Sequence, residues 1–131
     1  MKKRIKIGVA YGSDVGKTKE ILLQCTHKIK EILKKCDVRV TLSIGEKQKS
    51  SYEKFYKAGA RRYLLKIETA DKNFYKKHHP DMSFEERMRC LKDLKKIGYQ
   101  TGTGNIIGLP EQTEEHIARD LLHFKEIDAD M

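Results

Sequence analysis

The residues of this chain best placed to hold a ligand lie in Thr101-Gly-Thr-Gly-Asn-Ile-Ile-Gly-Leu-Pro-Glu-Gln-Thr113. Gly102, Gly104 and Gly108 remove side chains where something else must approach the backbone. Asn105, Ile106 and Ile107 supply the strand, and Pro110 ends its ladder before a helix that starts near Gln112 or Thr113. A strand that turns into a helix in this way is half of a βα unit, and parallel α/β folds bind ligands at that carboxyl end. A second small polar turn, Gly12-Ser-Asp-Val-Gly-Lys-Thr18, also stands between a strand pattern and a helical one. Other reactive residue types are spaced poorly for chemistry. Cys25, Cys36 and Cys90 are odd in number and widely separated, which indicates neither a disulfide framework nor a metal site. His78-His79 has no third ligand at metal-site spacing and reads as a surface loop.

The elements that position these residues follow from periodicity. Ile5, Ile7, Val9 and Tyr11 alternate with Arg4, Lys6, Gly8 and Ala10, which predicts a first strand over Arg4–Tyr11. A long helix follows through Ile21, Leu22, Ile29, Ile32 and Leu33. Val38, Val40, Leu42 and Ile44 give a second strand, and Tyr63, Leu65 and Ile67 a third over Arg62–Glu68. Between them a helix opens at Ser50 or Ser51, buries Tyr52, Phe55 and Tyr56, and closes at Gly59. A short helical turn spans Phe74–Lys77. Ser83 with Glu86 forms a capping box for a helix whose core stripe is Met88, Leu91, Leu94 and Ile97 and whose C-cap is Gly98. The fourth strand is Thr101–Gly108. Its helix lacks a full box at Thr113 and His116 and presents Ile117, Leu121, Leu122 and Phe124 to the core.

This order is βα repeated four times in one α/β domain over residues 1–131, with the strands parallel. Lys6, Thr41, Ser43, Lys66, Glu68, Thr103 and Asn105 occupy alternate strand positions, so one face is covered by helices and the other is polar. That pattern fits half of a TIM-like barrel. A flavodoxin-like open, doubly wound sheet, with the first strand moved inside, is the alternative. The net charge of +9 suits an anionic partner. The lysines, however, fall on outer helix faces, so no specific nucleic acid is expected. No apolar run is long enough for a bilayer or a signal peptide, which predicts a cytoplasmic protein.

From about Val38 to Met131, four motifs occur in order: Val-Thr-Leu-Ser-Ile-Gly-Glu, Ala-Gly-Ala-x-Arg-Tyr-Leu-Leu-x-x-Glu-Thr, Ser-Phe-Glu-x-Arg and Gly-Tyr-x-Thr-Gly-x-Gly-x-x-x-Gly-Leu-Pro. They resemble the radical-SAM enzymes, and within these the iron-only hydrogenase maturase and biotin-synthase-like group. The resemblance implies a barrel segment in which Glu68 and Arg87 help hold S-adenosylmethionine. Ala70, Asn105 and Ile107 would complete that pocket, with the adenine against the backbone of 104–108. A carboxylate can accept from ribose hydroxyls or an ammonium group, and a guanidinium can pair with a carboxylate. Thr41 and Arg62 match an anion-binding pocket deeper in the barrel, and Lys66 stands where arginine is common. The family's Cys-x-x-x-Cys-x-x-Cys motif is absent from the sequence, so no iron–sulfur cluster and no radical chemistry are expected.

The first third resembles the strand and phosphate loop of flavodoxins, where Ser13, Gly16 and Thr18 match residues that cradle the phosphate of FMN. On these resemblances the chain reads as a flavodoxin-like start over 1–37 joined to a radical-SAM-like segment over 38–131, as a truncation or a chimera. The expected function is a non-catalytic domain retaining part of an S-adenosylmethionine or nucleoside pocket. An FMN-binding electron carrier and a ligand-free scaffold are the alternatives. Two copies would close the barrel as a homodimer and cover its open strand edges.

Overall fold

The computed structural model describes residues 40–131 together with Gln24, His27, Glu31 and Lys34, all four of which are helical. The first strand, the Gly12–Thr18 loop with Ser13, Gly16 and Thr18, and Cys25 and Cys36 lie outside the described residues. Among the described residues, β1 (Thr41–Leu42), β2 (Arg62–Leu64) and β3 (Gln100–Gly102) form a parallel sheet in the order β1-β2-β3. Four helices accompany it: α1 (Lys49–Lys57), α2 (Lys72–His78), α3 (Phe84–Ile97) and α4 (Glu114–Glu126). β1 pairs directly with β2, Thr41 opposite Arg62. The flavodoxin-like alternative is therefore wrong for this segment, because it needs the chain's first strand between those two.

The expected alternation is present. Tyr63, Leu65 and Ile67 are buried under the helices, whereas Arg62 and Leu64 are half-buried and Lys66 is exposed. Leu91 and Leu94 of α3 and Tyr52 and Phe55 of α1 complete the core. Each such aliphatic side chain contributes roughly 2 kcal/mol when taken from water. Tyr63 stands between Tyr52 and Tyr99, with edge-on ring contacts at 5.1 and 5.8 Å. Its hydroxyl donates to the Gly45 carbonyl, and that of Tyr99 to Tyr52, at 2.7 Å each, so buried phenols keep partners. Burial pushes the pKa of all three phenols well above the ordinary value.

All three described strands end earlier than their sequence patterns. Thr103 Oγ1 accepts the Ile67 N–H at 3.1 Å, so a side chain takes the place of a ladder carbonyl. Pairing then resumes at Glu68 and Asn105 through Glu68 N–H to Gly104 O and Ile106 N–H to Glu68 O. The slip gives Glu68 a positive φ of 71°.

Helix ends show both agreement and correction. Gly98 caps α3 at φ 99°, and Ser83 Oγ accepts the Glu86 N–H, but the Glu86 carboxylate turns to Arg89 instead of closing a box. α1 starts at Lys49 after Gln48 with no side-chain cap, not at Ser50 or Ser51. α2 is longer than a turn because the Asp71 carboxylate accepts the Phe74 N–H at 2.8 Å. The box at Thr113 is complete after all: His116 Nδ1 accepts the Thr113 N–H at 3.0 Å, filling the part usually taken by Glu or Gln. His78 and His79 are half-buried against Phe74 and Tyr75, not a surface loop.

The inward face of α4 is rotated from the one expected. Leu121 and Leu122 are 60% and 62% exposed, and Asp120 between the half-buried Ile117 and Phe124 is fully buried. After α4 the chain lies along the outer edge of β3, with Asp130 N–H to Thr101 O and Thr103 N–H to Met131 O at 2.9 and 3.0 Å. The Asp130 carboxylate accepts from the Thr101 N–H and from Lys95, which also reaches Asp128. Burial disfavours its ionisation, but the Thr101 N–H and the Lys95 ammonium outweigh burial and hold its pKa below the ordinary value. A lowered carboxylate pKa adds stability above the unfolded-state value, near 4, and loses it as pH falls. Asp130→Asn is thus expected to lower Tm at pH 7 with a gap to wild type that closes on acidification below about pH 4. Calorimetric scans give the comparison, and a pH-independent gap contradicts it.

Candidate functional site at the carboxyl ends of the strands

Parallel strands deliver their last residues to one end, and here that end collects Gly45 and Glu46 after β1, Glu68 to Ala70 after β2, and Asn105 to Gly108 after β3. Arg87 comes to them from the first turns of α3 and Tyr75 from α2. Glu68 is half-buried, and its carboxylate makes no hydrogen bond or ion pair with the described residues. Its left-handed backbone costs on the order of 1 kcal/mol in a non-glycine residue, which its two backbone bonds to Gly104 and Ile106 enforce.

Arg87 does not pair with Glu68. It forms a buried ion pair with Glu46, Nε to Oε1 2.7 Å, and donates from Nη1 to the Lys66 carbonyl at 3.0 Å. The Nε approach is close but misaligned for a hydrogen bond, so the attraction there is chiefly electrostatic. Nη2 meets only the Met82 thioether, at 3.9 Å, and so keeps donor capacity. The Tyr75 hydroxyl is buried with no partner in hydrogen-bond geometry. Burial raises its pKa, the adjacent Arg87 opposes that, and Glu46 and Glu68 reinforce it. The phenol thus lies beside the guanidinium and near both carboxylates, as part of the packed wall beneath the strand ends.

Asp120 organises the floor. One carboxylate oxygen accepts the Thr69 hydroxyl at 3.2 Å and the Ala70 N–H at 2.5 Å, and the other accepts Asn105 Nδ2 at 2.9 Å. The backbone N–H of Ala70 and the amide nitrogen of Asn105 are therefore engaged within the protein. Ile107 is 71% exposed. The glycines divide by role: a Cβ on Gly102 would meet Leu64 and Met131 at 3.1 and 3.2 Å, so the approach there is the chain's own packing. At Gly104 the nearest atom is Lys66 Cγ at 3.8 Å, and Gly108, at φ 91°, has open space around it.

Thr41 and Arg62 are cross-strand neighbours, with Arg62 Nε occupied by Gln100 Oε1 at 2.7 Å. They lie about 20 Å from Glu68 along the strand direction, judged from strand rise, and so form a separate locus. A groove of about 430 Å³ beside α3 is lined by Phe84, Met88, the ion pairs Lys72–Glu85 and Arg89–Asp93, and Lys92 and Lys96. It sits on the outer helix surface, away from the strand ends. Sequence reasoning missed Glu46, Tyr75 and Asp120. The signal for Glu46 was its place just after a strand, matching that of Glu68. Tyr75 and Asp120 gave none, since an aromatic and an acid on helices have ordinary explanations.

A parallel sheet with helices on one face, polar groups on the other and a cluster at its carboxyl end is a segment of an α/β barrel wall with its ligand-binding end. The chain belongs to the Radical SAM superfamily, whose sequence profile matches residues 2–123 and so takes in the stretch that resembled a flavodoxin start. It is 52% identical over 103 residues to the FeFe-hydrogenase maturase subunit HydE of Thermotoga maritima, covering 79% of this chain and 29% of that protein. Over 114 residues it is 31% identical to a biotin synthase of Aquifex aeolicus, covering 86% of this chain and 34% of that one. Among solved structures, methylornithine synthase (PylB) superposes with a TM-score of 0.76 at 22% identity, over 86% of this chain and 33% of the other. HydG, a maturase of the FeFe-hydrogenase, gives 0.69 at 22% identity, over 95% and 29%. The chain thus spans about a third of the length of these relatives. Among the described residues no helix is long and apolar enough to cross a membrane.

The superfamily uses S-adenosylmethionine with an iron–sulfur cluster. The strand-end residues fit the first of these: an unpaired carboxylate, a guanidinium with a free nitrogen, and open glycine backbone. They do not fit the second. Cys90 is buried beside the Lys47 carbonyl and Glu86, and the sequence has no three-cysteine motif to supply thiolates.

Proposed function

We propose that this chain binds S-adenosylmethionine, or the nucleoside part of it, at the carboxyl ends of its strands, without itself holding the cluster. The observation that carries this is Glu68, strained in backbone and unpaired in side chain at the ligand end of a Radical SAM fold. A positive φ held by two backbone bonds, with a side chain that makes no bond to the described residues, suits a residue kept for an outside partner. Glu68 accepts from ribose hydroxyls or the ammonium group. The free Nη2 of Arg87 donates to the ligand's carboxylate, and Ile107 with Gly104 and Gly108 gives the base a flat apolar seat. Bound S-adenosylmethionine would supply a sulfonium whose cleavage needs an electron, and no step of that kind is assigned to these residues.

Titration calorimetry tests this reading. Wild type is expected to bind S-adenosylmethionine, and Glu68→Gln, which keeps size but loses charge, to bind it about tenfold more weakly. Glu68→Gly removes both the carboxylate and the strain, so it is expected to lose binding while melting no lower than wild type. No heat with wild type, or undiminished heat with Glu68→Gln, sinks the proposal.

A further inference from the structure

Asp120 is a fully buried carboxylate that satisfies itself with three donors from two separate segments, Thr69 and Ala70 after β2 and Asn105 after β3. No cation is among those partners. The consequence falls on the amide of Asn105. A carboxylate accepting from the Thr69 hydroxyl and the Ala70 N–H can only accept from Asn105 as well, so the amide nitrogen must face it. Which way an amide points is often ambiguous, but here the partner's chemistry settles it. Because nitrogen and oxygen diverge from one carbon, Oδ1 is turned away from Asp120, and it makes no hydrogen bond to the described residues.

Asn105 lies opposite Glu68 across the last parallel bridge, within the stretch whose glycines and exposed Ile107 offer a seat for a flat ring. We infer that Asp120 is a positioning residue that locks the Asn105 amide with its oxygen toward the strand-end site, so that the site selects a base carrying an amino group over one carrying an oxo group. An adenine presents an N6 amino donor to such an acceptor, whereas hypoxanthine puts a carbonyl oxygen at the same position and meets it acceptor to acceptor. Asn105 is the specificity-determining contact, and Asp120 acts through it. This deepens the proposed pocket and rests on it, since it presumes that a nucleoside occupies the strand ends.

The test is calorimetric binding of S-adenosylhomocysteine and S-inosylhomocysteine to the full chain, a pair differing at that substituent of the base. Wild type is expected to prefer the adenosyl compound by about tenfold or more, the scale of one hydrogen bond exchanged for a repulsive contact. In Asp120→Asn the new carboxamide can donate as well as accept, so the Asn105 amide is free to turn and the preference falls to within about threefold. Asn105→Ser, whose hydroxyl both donates and accepts, is expected to do the same, and it carries the test if Asp120→Asn fails to fold. Glu68→Gln weakens both compounds by the same factor and leaves the preference intact, which a general loosening of the site would not do. Equal binding of the two compounds by wild type overturns the inference while leaving the pocket standing, and so does an undiminished preference in folded Asp120→Asn. Binding of neither compound overturns both.

Discussion

Arg87→Ala is expected to lower the stability of the fold by about 3 kcal/mol, because it strands the Glu46 carboxylate and the Lys66 carbonyl in a largely buried place. Urea unfolding followed by circular dichroism measures it directly. Arg87→Met combined with Glu46→Leu is expected to recover most of the loss, since replacing both charges by apolar groups of similar size removes the desolvation penalty together with the attraction. A single substitution that leaves the unfolding midpoint unchanged would mean that the guanidinium is held for a ligand alone. The expectation also bears on binding experiments. Weaker nucleoside binding by Arg87→Ala mixes a lost contact with a damaged floor, so Glu68, whose side chain supports nothing else among the described residues, is the cleaner probe.

The second large effect is at Asp120. Asp120→Ala leaves the Thr69 hydroxyl, the Ala70 N–H and the Asn105 amide without their common acceptor, and the expected loss is about 3 kcal/mol. Asp120→Asn keeps one accepting oxygen and is expected to lose about 1 kcal/mol. The two melts, compared with wild type, separate a buried acceptor from a mere space-filler: if Asp120→Ala and Asp120→Asn cost the same, the hydrogen bonds do not hold the floor. Native-state hydrogen exchange adds a local reading, because the Ala70 amide is expected to lose protection before the amides of Tyr63 and Leu65 do.

What the sequence disclosed and what it hid divide along a physical line. The buried faces of β2, the core stripe of α3 and the glycine cap at Gly98 were readable because period and cap chemistry are local. Hidden features depend on partners distant in the chain. The apolar count of α4 pointed to Leu121 and Leu122, yet donors from two other loops draw Asp120 inward and turn both leucines to solvent. The Glu46 carboxylate that pairs with Arg87 likewise comes from a loop about forty residues away in sequence, so the motif around Arg87 gave no sign of it. The strand ends were misjudged for a smaller reason: the Thr103 hydroxyl takes a bond that strand patterns give to a carbonyl. The box at Thr113 went unread because an imidazole nitrogen in the accepting state does the work of a carboxylate.

The segment after α4 has a consequence for how this sheet can grow. With Asp130 and Met131 already bonded to Thr101 and Thr103, a strand joining β3, including one from the second copy expected to close a barrel, must first peel that segment away. The latch is partly ionic, through Asp130, Asp128 and Lys95, so acid and salt loosen it while leaving the backbone groups of β3 as sticky as before. Any strand added at this edge would therefore compete with that segment for the backbone groups of Thr101 and Thr103, most readily where acid or salt weakens the Lys95 contacts.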